Sequence, residues 1–127
     1  MARFAPWFLL LTGLVFAAIA VMALIDPAGM VARMGIQLTE VSSRNEMRAV
    51  YGGLNLAMAL YLCAAFQIAE IRSAALTFTA LFTGGLLLGR LVSLIVDGMP
   101  SPLIGSFIAI EVTGFVLALT LRRHVTA

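Results

Sequence analysis

The chain has 127 residues, of which 62% are hydrophobic and only 11% charged, with a mean hydropathy of +1.08. A soluble domain carries about 25% charged residues and about 45–50% apolar ones, so a chain of this size cannot bury its apolar surface in a core of its own. Lipid must be the solvent for much of it, and a formal net charge of +2 is too small to suggest nucleic acid as a partner.

Four apolar runs carry this surplus: residues 7–25, 50–68, 74–96 and 103–121. Each holds about 20 residues, and at about 1.5 Å per residue each spans a hydrocarbon core of roughly 30 Å. They predict an all-α fold, a four-transmembrane-helix antiparallel bundle in which residues 1–127 form a single domain.

Arg3 precedes the first run as a short basic segment. The run exceeds the apolar stretch of about 7–15 residues in a cleaved signal peptide, so it is read as a retained span. Asp26-Pro27 ends it and opens a new helix, with Asp26 as N-cap and Pro27 at the first helical position. That short helix, residues 28–34, carries Met30, Val31, Arg33 and Met34 and stops at Gly35, which suits a helix lying in the membrane interface. Residues 37–43 are the most polar stretch. Ser43-Arg44-Asn45-Glu46 has the form of a capping box, so the second helix is expected to start near Arg44 and to enter lipid near Val50. A short turn at residues 67–73 makes spans two and three antiparallel neighbours. In the turn at residues 97–102, Ser101 is the expected cap and Pro102 the first residue of the last helix.

Four spans put both termini on one side, together with Arg3, Arg72, Arg122 and Arg123. The other side holds Arg33, Arg44 and Arg48. The positive-inside rule then places both termini in the cytoplasm, by a margin that leaves a dual-topology homodimer open. Small residues four apart, which let helices approach closely in lipid, recur as Gly13/Ala17, Gly53/Ala57, Gly85/Gly89 and Gly114/Ala118. Gly85-x-x-x-Gly89 is the expected close contact.

The polar residues inside the spans form the candidate site. An arginine at the depth of Arg90 costs about 2.5–3.5 kcal/mol on insertion scales, so the chain must answer it. At 100° per residue Thr79, Thr83, Arg90, Ser93 and Asp97 share one face of span three. Arg48, Tyr51 and Asn55 share a face of span two, and Glu111 shares the interior face of span four with Gly114 and Ala118. Arg90, Asn55 and Glu111 come to one depth. The simplest arrangement is a buried Arg90–Glu111 ion pair with Asn55 hydrogen-bonded nearby, and with Arg48, Tyr51, Ser93 and Asp97 lining the way out. Such a network either holds the helices in register or forms a pocket for an anionic or polar head group. The hydroxyls of Thr79 and Thr83 are expected on carbonyls of their own helix.

Catalytic signatures are missing. All eight basic residues are arginine, and the single cysteine, Cys63, can form no intramolecular disulfide. No His pair or Cys cluster offers a metal or haem site, and no phosphate loop or nucleophile elbow is present. No cofactor and no catalytic residue is assigned, and the balance is against an enzyme.

Asn45-Glu46-Met47-Arg48-Ala49-Val50-Tyr51-Gly52-Gly53 and Gly89-Arg90-Leu91-Val92-Ser93-Leu94-Ile95-Val96-Asp97-Gly98, with Glu111 and Asp26-Pro27, give the strings R-A-x-Y-G-G and G-R-x-x-S-x-x-x-D-G. On these motifs the whole chain resembles a domain-of-unknown-function family of small bacterial four-helix integral membrane proteins. The resemblance implies a fold and a membrane location and brings no activity. A looser likeness, by size and helix count, is to DoxX-like proteins linked to quinone or thiosulfate redox chemistry. Small multidrug exporters and fluoride channels are similar in length, but their span-one motifs are absent here. The reading that follows is a protein that binds a membrane lipid, a quinone or another amphipathic ligand, or serves as an accessory subunit in a homodimer or larger complex. The alternatives are a dimeric transporter coupled through Glu111 and a quinone-linked redox subunit.

Overall fold

A computed structural model describes residues 1–125. Those residues form helices and turns with no strand. A short 3₁₀ turn, Ala2–Phe4, leads into α1, Ala5–Ile25. Then come α2, Pro27–Ala32, and α3, Val41–Met47. A wide π-helical turn, Arg48–Leu54, joins α3 to α4, Asn55–Gln67. A second 3₁₀ turn, Ala69–Ile71, leads to α5, Arg72–Val96, and α6, Pro102–Val125, closes the chain. Merged across their tight turns, four helical stretches of 24, 27, 28 and 24 residues are long and apolar enough to cross a membrane. This is the all-α, four-helix architecture that the apolar runs predict.

The helix ends follow local chemistry. Asp26 leaves helical geometry at φ −136°, ψ 79°, and its carboxylate accepts the Gly29 N–H at 2.9 Å, with Pro27 at the first helical position. The chain then turns at Gly35, whose φ of +81° is cheap only for glycine. Helix α2 is shorter than the expected residues 28–34. The expected capping box does not form: α3 begins at Val41 behind Glu40, which makes no side-chain cap, so Ser43 lies inside the helix. Arg44 instead turns back and donates from Nη1 to the carbonyls of Leu38 and Thr39, both at 3.2 Å. These contacts hold the polar connection against the start of α3. Pro102 opens α6 as expected.

The chain divides into two compact units, one of Pro6–Ala69 and one of Met1–Ala5 with the chain from Glu70 onward. In the first unit, α1 runs antiparallel to span two, with Trp7 edge-on to Phe66 at 4.9 Å between ring centroids. Near mid-span Gly13 meets Cys63: a Cβ on Gly13 would stand 2.7 Å from the Cys63 Sγ and 3.1 Å from the Ala59 carbonyl oxygen. At the far end Gly52 sits against Leu24 in the same way, 2.6 Å from Cδ2. In the second unit α5 and α6 form an antiparallel hairpin. A Cβ on Gly84 would lie 3.1 Å from the Phe115 ring, and Gly114 faces the Thr83 methyl.

Gly85 and Gly89, the pair singled out by spacing, do not make the close approach. Both lie on the exposed side of α5, with no atom within 4 Å of a built Cβ. The spacing selected the right motif type but could not tell an inward face from an outward one. Gly13→Ala is therefore expected to lose about 1–3 kcal/mol, because backbone atoms of span two block the added methyl. Gly89→Ala should be neutral or gain up to about 1 kcal/mol from helix propensity. Thermal unfolding in detergent, followed by circular dichroism, separates the two.

Candidate functional site on the α5–α6 hairpin

Arg90 and Glu111 meet across the hairpin. Arg90 Nε donates to Glu111 Oε2 at 3.3 Å and Nη2 donates to Oε1 at 3.1 Å, a two-pronged pairing that fixes the two groups against each other. Register brings them together: Gly84 opposite Phe115 and Thr83 opposite Gly114 set the antiparallel alignment, and the ion pair lies farther along the same seam. Arg90 is about 9 Å inside the end of α5, and Glu111 is about 14 Å inside the start of α6.

The pair is not buried, contrary to the expectation from depth. The Arg90 side chain is 32% exposed and that of Glu111 is 13% exposed. A two-helix seam cannot surround a guanidinium on all sides, so its outer edge stays open. An arginine has five N–H donors and Glu111 occupies two of them. Nη1 and the second Nη2 hydrogen of Arg90 have no hydrogen-bond acceptor among the described residues.

Ser93 and Asp97 form a second polar contact on α5, from Ser93 Oγ to Asp97 Oδ2 at 2.8 Å, one turn apart and both exposed. Gly85, Gly89, Ser93 and Asp97 follow one another at four-residue steps, all exposed. The outer surface of α5 therefore changes from bare backbone at depth to a polar rim, with Arg90 beside the strip.

Thr79 and Thr83 are buried, and their hydroxyls donate to Ala75 and Thr79 carbonyls of their own helix at 2.9 and 2.7 Å, as expected. They line the seam without offering a free polar group.

The remaining candidate residues lie in the other unit and make contacts of their own. Asn55 has a partner within its own span: its Nδ2 donates to the Val50 carbonyl at 3.2 Å. Arg48 donates from Nε to the Leu24 carbonyl at 3.1 Å. Helix α1 has no basic residue in its last turn, so Arg48 supplies the cap and favourable charge for that end. Tyr51 is 42% exposed and Asn55 only 8%. The shared face drawn through Arg48, Tyr51 and Asn55 fails because Arg48–Leu54 is π-helical, and 100° per residue no longer applies. Sequence reading missed Leu24 and Gly52 as partners of this motif. The adjacent glycines in Tyr51-Gly52-Gly53 were the available signal.

A family profile described as Domain of unknown function (DUF4345) matches residues 4–122. The chain belongs to this family. Both motif strings, the ion pair and all but the outermost residues of the four long helices lie within the match, so the family spans both units. The match does not bear out the DoxX-like likeness. No curated protein and no solved structure matches the chain.

The pair invites a double-mutant cycle. Because both groups keep some exposure, Arg90→Met or Glu111→Gln alone is expected to cost more than the ~1 kcal/mol of a surface pair and less than the ~3–5 kcal/mol of a buried one. The double variant should recover part of that loss. Unfolding midpoints in detergent give the coupling energy. Singles that collapse and are fully rescued by the double change would mark a structural strut alone.

Proposed function

We propose that this protein is a multi-pass inner-membrane protein that binds an amphipathic ligand along the outer surface of α5, with the head group at Arg90. The observation that carries the reading is the half-satisfied guanidinium. Arg90 is positioned by Glu111 but keeps three N–H donors directed away from the pair. Glu111 neutralises its charge, and Asp97 adds a negative charge at the rim. The cluster therefore favours a neutral or zwitterionic head group with carbonyl or phosphoryl acceptors over a free anion. The exposed Gly85 and Gly89 leave room for an acyl or isoprenoid chain against the helix backbone. Ser93 and Asp97 suit the wet end of such a molecule. A lipid and a quinone both have this form.

The test is native mass spectrometry of the protein released from mild detergent. A bound lipid or quinone is expected in the wild type, reduced at least about tenfold in Arg90→Met, which removes the donors, equivalent to about 1.4 kcal/mol. Gly89→Leu should fold normally and lose the same species. Equal retention in all three proteins would refute the site. Proton-gradient-dependent flux of that ligand in proteoliposomes would instead point to transport.

The same reading places both termini in the cytoplasm, supported by Arg3, Arg72, Arg122 and Arg123 against Arg33, Arg44 and Arg48. Impermeant thiol reagents on cysteines introduced at Thr39 and near Arg123, in a Cys63→Ala background, are expected to label the two sites from opposite sides. Labelling from one side would overturn the four-span topology.

A further inference from the structure

Span two is interrupted. Between α3 and α4 the segment Arg48–Leu54 takes the π spacing, so span two holds a residue more than a continuous α-helix would need. Four contacts hold the segment in this form. The Asn55 amide donates to the Val50 carbonyl, while the Asn55 backbone N–H turns back to the Gly52 carbonyl. At the other end of the segment Arg48 holds the Leu24 carbonyl, with Gly52 closed against the Leu24 side chain. The neighbouring Gly53 has no such packing role, since its nearest atom is the Arg48 carbonyl oxygen at 4.0 Å from a built Cβ. Gly53 is thus extra length without a contact to make.

We propose that Arg48–Leu54 is a register switch in span two, latched in its π form by Asn55. Taking up the extra residue in an α-helical register gives the Val50 carbonyl the Leu54 N–H, its α-helical donor, and releases the Asn55 amide. The helix on the N-terminal side of the segment then turns by about 100° relative to α4, the angle of one residue. That turn carries Arg48 off the Leu24 carbonyl and moves α3 with it. The device thus couples the end of α1, the polar connection before α3 and the membrane-buried α4. Its two states differ by two side-chain hydrogen bonds to backbone carbonyls, which suits a small population shift. The proposal rests on the α1–span-two unit and is independent of the ligand reading on α5–α6.

Three variants test it in lipid nanodiscs by amide hydrogen exchange over residues 48–55: Asn55→Leu, deletion of Gly53, and both together. Deleting Gly53 removes the extra residue while keeping the faces of α3 and α4, so exchange should slow by about tenfold or more relative to the wild type. Asn55→Leu opens the latch, and exchange should rise by a similar factor. The combined variant should behave as the deletion alone, because a continuous α-helix needs no latch. If Asn55→Leu does not fold, recovery of the fold in the combined variant supports the proposal equally. A Gly53 deletion that unfolds the protein or leaves exchange unchanged would overturn it. So would a combined variant no better than Asn55→Leu.

Discussion

A polar group inside a hydrocarbon layer has no water to turn to, so every carbonyl, hydroxyl and charge in these spans must find its partner within the chain. The chain meets this demand almost entirely with local bonds. Thr12, Thr79, Thr83, Thr113 and Thr120 each donate to the carbonyl four residues back. No buried side-chain nitrogen or oxygen lacks a partner among the described residues. Against this background the few polar side chains that reach beyond their own helix carry most of the information about how the protein is built.

Two arginines show opposite solutions to the same constraint. Arg48 is used at the open end of a neighbouring helix, where the last carbonyls have no intrahelical donors. Its contact costs nothing in charge balance, because the side chain is exposed at the rim of the span. Arg90 lies deeper and needs a counter-charge. Glu111 supplies it at the α5–α6 seam, yet a seam between two helices covers only one side of the guanidinium. What remains is a fixed, neutralised cluster with donors still to offer. That combination separates Arg90 from a fully enclosed interior salt bridge.

Glycines divide along the same line. Gly13, Gly52 and Gly84 are small because another helix stands where a side chain would be. Gly85 and Gly89 meet nothing within the chain. Helix α6 is likewise sparingly covered, with only 6% of its most apolar stretch buried within the chain. Apolar surface left open to this extent belongs against lipid.

The sequence by itself determined the four long apolar helices, the Asp26-Pro27 break, the turn at Gly35, the start at Pro102 and the threonine back-bonds. Each of these depends on neighbours within a few residues and on the length needed to cross a bilayer. The Arg90–Glu111 pairing was legible too, because a charge in lipid must be answered and only one acidic residue lies at the matching depth. Tertiary structure decided which glycines are contacts, how far the ion pair is covered, and that Asn55 serves its own span. It also decided the π turn at Arg48–Leu54, where a periodicity of 100° per residue assigns faces that the chain does not have. These features depend on what stands opposite a residue. A one-dimensional pattern holds the spacing of side chains along a helix, but not the identity of the atoms across from them.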